Sequence, residues 1–353
     1  MNKVSRFTIG VDLGDKQNVV CVLDEFGEIL EVLRVSNTQQ AMKQYFSRYP
    51  QTLVALEAGS HSPWVSRLLE NIGCTVLVGN PRKLRAIWQG PIKTDFRDAE
   101  MLARIARFDP NLLYPIKHRD EQSQEDLSIL KSRDMLVKNR TDLINHIRGM
   151  VKSMGQRLPS CSAESFHKRA SEHLPERLHS GLMPIVDQIQ GLTAAIKNYD
   201  RQIEELNRSK YPETETLRQI KGVGPITALA FVLTLEDAKR FQKSREVGAF
   251  LGLTPRKDQS GDTDKHLRIT KNGNAYLRRL LVGCAQYILG PFGPDCDLKR
   301  FGLRLCEQGG KKAKRRAVTA VARKLAVLLH RLWATGEVYE PLYNQNQFMQ
   351  KAA

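Results

Sequence analysis

Two aspartates near the end of the first third of the chain have a spacing that can support metal chemistry. Asp95 and Asp98 are three residues apart and precede a helix-forming run at 101–107. Positions i and i+3 share one face of a helix, so both carboxylates can face one point. Like charges so close repel unless a cation lies between them, and Mg²⁺ prefers carboxylate oxygens. Taken alone, the pair is more simply an acidic first turn favoured by the helix dipole.

The composition indicates a polyanionic partner. The 353 residues include 55 Lys and Arg against 38 Asp and Glu, a net charge of +17. Such a surplus favours nucleic acid first and an anionic membrane second. Aromatic residues make up only 7%, so phosphate contacts are expected to dominate binding. The length is sufficient for two or three domains.

Cysteine usage and hydropathy indicate a cellular compartment. The six cysteines form no Cys-x-x-Cys pair and have no histidine at zinc-finger spacing, which predicts reduced thiols and no structural zinc. The sequence shows no signal peptide and no apolar run of 18 residues. We therefore expect a soluble cytoplasmic protein with no membrane partner.

The first third predicts an α/β domain. Strands are expected at 6–14, 17–23, 28–35, 52–56 and 74–78, with helices at 38–48 and 62–72. Three antiparallel strands followed by alternating helices and strands is the order of a ribonuclease-H-like fold. In that order the first and fourth strands are central neighbours, and Asp12 and Glu57 lie at their ends. Asp12, Glu57, Asp95 and Asp98 are therefore expected to converge on one divalent-metal site.

Such a site polarises a phosphodiester and orients the attacking and leaving oxygens. Other interpretations stay open for single residues, since Asp12 can cap a turn and Glu57 can be an exposed strand end. Residues 11–14, Val-Asp-Leu-Gly, also resemble the first phosphate loop of actin-like ATPases and sugar kinases. Those proteins need a second Asp-x-Gly loop, and we find none in the sequence.

From about residue 119 the sequence is typical of long helices. Apolar residues recur every seven positions from Leu130 to Val151, and 159–175 is predicted to be a loop. A second helix has an apolar seam with alternating spacings of four and three, and Pro184 is expected to start or kink that helix. The seam is Leu178, Leu182, Ile185, Ile189, Leu192, Ile196, Tyr199, Ile203 and Leu206. Either an intramolecular antiparallel hairpin or oligomerisation through that hairpin is consistent with this pattern.

The last third contains candidate nucleic-acid contacts and a candidate serine loop. Gly222 and Gly224 lie in a pattern typical of a helix-hairpin-helix, whose backbone N–H groups can hold a phosphate, although a tight turn without ligand is equally compatible. Residues 250–261 are predicted to be a loop in which glycine follows Ser260. The predicted phosphate-binding cations, which could also form a solvated face, are Lys271, Arg278, Arg279, Lys311, Lys312, Lys314, Arg315 and Arg316.

Six motifs in one order resemble a known family. They are the Asp12 strand, Leu56-Glu-Ala58, Lys93-Thr-Asp-Phe-Arg-Asp-Ala99, Ile220-Lys-Gly-Val-Gly-Pro225, Gly252-Leu-Thr-Pro255 with Ser260-Gly261, and Ile269-Thr-Lys-Asn-Gly-Asn274. This arrangement resembles the DEDD-type insertion-sequence transposases of the IS110 and IS1111 group, which include the Piv-type DNA invertases. The resemblance covers nearly the whole chain.

The resemblance implies an architecture and a mechanism. It implies a RuvC-like α/β domain at 1–115, a helical coiled-coil domain at 116–211 and a mainly α transposase domain at 212–353. The DEDD set maps onto Asp12, Glu57, Asp95 and Asp98, which would hold Mg²⁺, with Mn²⁺ as a substitute. The nucleophile maps onto Ser260, activated by that metal site. One departure is Asp15, where many relatives have serine or another small residue.

The resemblance also implies partners. They are the DNA of the element ends and target, a structured guide RNA from the same element, and further copies of the chain in a dimer or tetramer. The expected location is the bacterial cytoplasm, at the nucleoid. Three rival functions stay open: a junction nuclease that uses water as nucleophile, a non-catalytic nucleic-acid-binding scaffold, and an actin-like ATPase. A covalent protein–DNA adduct would separate the recombinase from all three.

Overall fold

The computed structural model describes residues 6–84, 94–260, 263–307, 309–310 and 312–344, with backbone only at 257–260 and 263–266. The chain forms two compact units, Met1–Asp120 and Glu121–Ala353.

The first unit contains a five-stranded mixed sheet. Its strands are β1 (Thr8–Asp12), β2 (Gln17–Leu23), β3 (Ile29–Ser36), β4 (Leu53–Glu57) and β5 (Thr75–Gly79). The order across the sheet is β3-β2-β1-β4-β5. The first three strands pair antiparallel, whereas β1 with β4 and β4 with β5 pair parallel. The predicted mixed α/β character and the central placement of β1 and β4 are confirmed.

Helices cover both faces of this sheet. They are α1 (Gln39–Phe46), α2 (Ser62–Asn71), α3 (Pro81–Leu84) and α4 (Asp95–Phe108), followed by a 3-10 helix at Pro110–Leu113. Because side chains alternate along a strand, each strand supplies two cores. Ile9 and Val11 on β1 pack in a core with Phe46 and Leu69. The opposite face of β2 packs on the small residues of α4, in a cluster of Val19, Cys21, Leu23, Ala99 and Ala103.

The second unit begins with a long helical hairpin. It consists of α5 (Glu121–Ser153), α6 (Phe166–His173) and α7 (Glu176–Ser209). Helix α6 lies inside the stretch predicted to be a loop, because Phe166 and Ala170 are buried against the hairpin core. Pro184 does not start α7: it lies inside that helix, which already begins at Glu176.

The buried face of α7 differs in part from the predicted seam. Leu182, Ile189, Ile196 and Ile203 are buried as expected. The remaining seam residues, Leu178, Ile185, Leu192, Tyr199 and Leu206, are only half-buried. Their place in the interior is taken by Val186, Thr193 and Asn207. About half of the predicted seam is therefore buried within the hairpin, and the other half remains partly accessible.

The rest of the unit is mainly helical. It contains α8 (Glu213–Arg218), α9 (Pro225–Leu235), a 3-10 helix at Ala238–Arg240, α10 (Glu246–Phe250), the hairpin of β6 (Pro255–Ser260) and β7 (Thr263–Ile269), α11 (Ala275–Leu289), α12 (Asp297–Glu307) and α13 (Ala313–Thr335). Helix α9 is buried from Thr227 to Leu235 and forms the centre of the core. The predicted loop at 250–261 is partly wrong, because 255–260 forms a strand.

The base of the helical hairpin belongs to the same core. Leu127 and Leu130 of α5 and Ile203 of α7 cluster with α9, α11 and α13. The division of this unit at residue 211 therefore stays a prediction from the sequence. Within the described residues, no helix has the length and hydropathy needed to cross a membrane.

Candidate active site and nucleic-acid interface

Two of the predicted acids lie at the carboxyl end of the sheet. The parallel register places Val11 of β1 beside Leu56 of β4, so the next residues, Asp12 and Glu57, end neighbouring strands at one edge. Both side chains are half-buried. The sequence therefore predicted their relationship correctly, because strand order and direction alone determine it.

Helix α4 crosses β1 in direct backbone contact. A β-carbon at Gly10 would lie 1.9 Å from the carbonyl oxygen of Ala99 and 2.6 Å from the backbone nitrogen of Ala103. The C-terminal half of the helix lies at the far end of β1, since Arg104 and Arg107 donate hydrogen bonds to carbonyls in the turn after β2. The helix thus runs antiparallel to β1, and its first turn lies toward Asp12.

A ring contact fixes the position of that first turn. Asp12 pairs with Val19 on β2, and Val19 pairs with Arg34 on β3. The guanidinium carbon of Arg34 lies 5.4 Å from the ring centroid of Phe96. The start of α4 therefore lies over the row of residues that contains Asp12.

Asp95 and Asp98 occupy this first turn. Thr94 is the N-cap, and its side chain accepts a hydrogen bond from the backbone nitrogen of Arg97 at 3.3 Å. The two carboxylates suit the positive end of the helix dipole. Asp95 is exposed and Asp98 is half-buried. All four predicted acids thus belong to elements that end or begin at one edge, although no three His, Cys, Asp or Glu side chains among the described residues group closely enough to hold a metal ion.

The loop after Asp12 is held by the side-chain amides of two asparagines. The backbone N–H of Gly14 donates to the side-chain oxygen of Asn18, which is fully buried. The side-chain nitrogen of Asn37 donates to the carbonyl of Gly14 at 2.8 Å. Sequence reasoning missed Asn18, because a buried amide inside a strand gives no distinctive pattern, and it also missed Asn37, which follows β3 and is half-buried.

A histidine also missed in the sequence lies at the same edge. His61 precedes α2, and its Nε2 lies 3.5 Å from Oδ1 of Asp15. The indole nitrogen of Trp64 donates to Nδ1 of His61 at 3.1 Å. In the neutral ring the proton is therefore on Nε2, facing Asp15. The contact joins the loop after β1 to the loop after β4, and its only sequence signal was the three-residue spacing of His61 and Trp64.

Three of the cysteines are unsuited to act as nucleophiles. Burial raises the pKa of Cys21 to about 11, and the nearby Glu100 carboxylate adds to the effect. Burial also raises the pKa of Cys74 and of Cys284. A thiol must ionise to attack, so burial disfavours nucleophilic attack by these three.

Ser260 is the last residue of β6. Its backbone pairs with Thr263 of β7, which places it at the tip of a two-stranded hairpin. The side chains of Ser260 and His266 and all of Gly261 lie outside the described residues. The strand assignment replaces the predicted loop, and it puts the serine at the end of that strand.

The predicted helix-hairpin-helix residues form the turn between α8 and α9. Gly222 has a positive φ of 102°, and a β-carbon there would lie 2.7 Å from the Tyr287 ring. Gly224 is exposed and caps α9, whose first residue is Pro225. The turn therefore exposes the start of a helix, as the glycine pattern predicted.

Two of the predicted phosphate-binding cations already have partners within the chain. Arg278 donates to the carbonyls of Leu251 and Asn272, each at 2.8 Å. Arg279 donates to both carboxylate oxygens of Asp134 at 2.6 Å. Their contacts are structural, whereas Lys271 is exposed on a turn with a positive φ of 57°.

The basic run opens α13 as expected. Lys312, Lys314, Arg315 and Arg316 are exposed, and Lys311 lies outside the described residues. Lys312, Arg315 and Arg316 line a large cleft, whereas Lys314 is not part of its lining.

The comparison with known proteins identifies the class of this chain: it is an insertion-sequence transposase. A model of the IS116/IS110/IS902 transposase family matches residues 214–295. A second transposase model, of the DEDD type of IS110 elements, matches residues 9–155. Together they cover more than half of the chain, which belongs to this family.

Relatives of known name extend along the same length. The transposase of insertion sequence element IS1111A of Coxiella burnetii is 29% identical, over 94% of this chain and 90% of the relative. A probable family 20 transposase of Pseudomonas aeruginosa is 28% identical, over 94% of this chain and 98% of the relative. The pilin gene-inverting protein of Moraxella bovis is 26% identical, over 67% and 64%. The chain is therefore a DNA-modifying enzyme with DNA as its partner.

Proposed function

We propose that this transposase cuts and rejoins DNA strands through a phosphoserine intermediate at Ser260, directed by a structured guide RNA from its own element. Asp12, Glu57, Asp95 and Asp98 would hold the Mg²⁺ that the reaction needs, with Mn²⁺ as a substitute. The observation that carries the proposal is the meeting of the ends of β1 and β4 with the first turn of α4 at one edge of the sheet.

The donor set fits a hard divalent cation. All four residues offer carboxylate oxygens, the ligands that Mg²⁺ prefers. Four like charges at one edge repel one another, so we expect their side chains to gather only around a cation. When bound, Mg²⁺ would neutralise charge on the phosphodiester and help to orient the reacting oxygens.

The architecture supports a RuvC-like assignment of the first unit. The order β3-β2-β1-β4-β5, with only β1 to β3 antiparallel, is the arrangement expected of a ribonuclease-H-like fold. In the second unit, α8, the Gly222–Gly224 turn and α9 are consistent with a helix-hairpin-helix whose exposed helix start contacts a DNA phosphate.

The proposed chemistry conserves the number of phosphoester bonds. Oγ of Ser260 loses its proton and bonds to phosphorus, while the bond from phosphorus to one deoxyribose oxygen breaks and that oxygen is protonated. In the second step, the hydroxyl of another strand attacks the phosphoserine, and Ser260 recovers its proton. The energy of the phosphodiester is kept in the intermediate, so rejoining needs no nucleotide cofactor.

The remaining partners are supported by charge and by the surface of α7. A net charge of +17 suits an RNA as well as DNA. Self-association through the hairpin is supported by the half-buried stripe of Ile185, Leu192 and Tyr199 on α7. The nucleoid is the expected location because the substrate is there.

A second function is favoured by one observation. All four acids belong to the unit Met1–Asp120, which lacks Ser260, so they form a complete set for a RuvC-like nuclease that uses water. Purified protein incubated with guide RNA, element-end DNA and Mg²⁺, then denatured, distinguishes the two. We expect a covalent protein–DNA adduct and rejoined products. Cleaved DNA with free ends and no adduct would favour the nuclease.

A further inference from the structure

The second unit contains a cleft with a volume of about 2410 Å³. One wall is α13 and another is α12. The segment after α13, at 337–344, and the base of the β6–β7 hairpin complete the lining.

Several cations of this cleft have no acidic partner among the described residues, although Arg300 and Arg331, which also line it, pair with Asp295 and Glu337. Arg304 on α12, Lys312 at the N-cap of α13, and Arg315, Arg316 and Arg323 on α13 all line it. Within the described part of the chain, none of these five forms a salt bridge. Uncompensated positive charges in a concave site destabilise the free protein and attract a polyanion.

Other arginines of the second unit have carboxylate partners within the chain. Arg133 pairs with Asp200, Arg208 with Glu205, Arg218 with Glu204 and Arg279 with Asp134.

Apolar and aromatic residues form part of the cleft lining, which we name its floor. Phe301, Val327, Leu328, Tyr339 and Tyr343 contribute to it. The ammonium of Lys324 lies 4.0 Å from the Phe301 ring centroid. A paired duplex keeps its bases stacked inside and presents phosphates outside, so only splayed, unpaired bases can reach such a floor.

We propose that this cleft binds an unpaired DNA strand, with its phosphates on the cations of α12 and α13 and its bases on the apolar floor. The proposal rests on the function proposed above, from which the commitment to DNA follows. From Lys312 to Arg331 the cleft side of α13 extends about 28 Å, enough for several nucleotides.

The position of the cleft relates it to the predicted nucleophile. Pro255, at the start of β6, lines the cleft, and Ser260 ends the same strand. Five steps along a strand cover about 17 Å. A strand that leaves the cleft along β6 is therefore directed toward Ser260, so the cleft would deliver the DNA strand that is to be cut.

Fluorescence anisotropy with the full chain in EDTA tests the proposal without catalysis. The probes are a 12-nucleotide oligodeoxythymidine, the same strand with abasic sugars, a 12-base-pair duplex and a 12-nucleotide oligouridine. We expect the oligodeoxythymidine to bind about tenfold tighter than the abasic strand, because base–aromatic contacts are lost in the latter.

Two double variants, one in the cleft and one outside it, each remove two positive charges. Arg316→Gln with Arg323→Gln should weaken oligodeoxythymidine binding about tenfold and reduce the log–log salt slope by about 1.4. Arg201→Gln with Arg208→Gln, on the exposed face of α7, should leave both unchanged. Tyr343→Ala should remove the preference over the abasic strand, and Tyr343→Phe should restore it.

Three results would overturn the proposal. The abasic strand could bind as tightly as oligodeoxythymidine, or the cleft variant could lose more affinity for the duplex than for the single strand. The third is that oligouridine binds more tightly than oligodeoxythymidine in a way that depends on the cleft cations. Each is independent of the adduct experiment. Failure of the cleft would therefore leave the phosphoserine proposal intact, and absence of the adduct would not by itself alter the binding results.

Discussion

Gly10 on β1 and Ala99 on α4 meet backbone to backbone: a β-carbon on the glycine would lie 1.9 Å from the alanine carbonyl oxygen. This approach determines how deeply α4 lies on the sheet. Because Asp98 precedes Ala99, it also determines the position of the helix acids relative to Asp12.

Gly10→Ala should therefore move α4 outward and damage both stability and activity. The contact involves backbone atoms, which cannot rotate away, and overpacking of this kind costs about 1–3 kcal/mol. Urea unfolding measures the loss. Gly59→Ala is the control, since a β-carbon added to Gly59 would have nothing within 4 Å of it. Equal unfolding midpoints for the two variants would contradict the close packing.

The four acids should act as one unit. Asp12→Ala, Glu57→Ala and Asp98→Ala should each abolish recombination while leaving the unfolding curve close to that of the wild type. A double variant should be little worse than a single one, because residues that act together lose activity non-additively. Calorimetric titration with Mn²⁺ checks the ligand role separately from activity. If the Glu57→Ala variant recombined DNA at a near wild-type rate, Glu57 would not belong to the proposed metal site.

The first unit was largely predictable from its sequence because its signals are local. Alternating and continuous apolar runs located β1 and β4, and parallel pairing then put Asp12 beside Glu57 without any long-range information. The depth of α4 was not predictable. Gly10 is one glycine inside a strand, and nothing in the sequence says that Ala99 will lie against it.

The second unit was harder because long-range packing overrides its local pattern. A polar stretch before Phe166 suggested a loop, yet one buried aromatic residue anchors α6. On α7 the apolar periodicity fits two adjacent stripes, and only packing against α5 selects the one that includes Thr193. The pairing of Arg279 with Asp134 likewise joins residues far apart in sequence.

Arg140 is a buried polar residue inside the helical hairpin of α5 and α7. It is 7% exposed, and its Nη1 donates to Oγ1 of Thr193 at 3.3 Å, while its Nε is buried without a partner among the described residues. Burying such a group costs free energy, so Arg140→Met should raise the free energy of unfolding by about 1 kcal/mol or more. Arg201→Met, on the exposed face, should change it by less than about 0.5 kcal/mol. A destabilised Arg140→Met protein would mean that Arg140 is better satisfied than its contacts indicate.

The two halves of the α7 seam should respond differently to charge. Ile196 is 3% exposed, so Ile196→Glu should unfold the hairpin, as seen by circular dichroism. Leu192 is half-buried, so Leu192→Glu should leave the fold intact and dissociate the expected oligomer. Sedimentation velocity measures the second effect. An unchanged sedimentation coefficient for folded Leu192→Glu would place the oligomer interface on another surface.

The identity of the nucleophile is the most direct test of the mechanism, because the second unit offers two serines for comparison. Ser244 has the arrangement that usually activates a hydroxyl. Its Oγ lies 3.0 Å from Nδ1 of His330, whose Nε2 faces the Ala238 carbonyl at 2.8 Å and must therefore bear the proton. That imidazole is 2% exposed, however, and the contact holds the start of α10 against α13.

Ser260 is at the hairpin tip, and the family resemblance assigns the nucleophile to it. Ser260→Ala should bind DNA normally and form no adduct, whereas Ser244→Ala should still form one. Mass spectrometry of trapped, nuclease-digested complexes should locate the nucleotide on Ser260, and its location on Ser244 would transfer the proposed role to the Ser244–His330 pair.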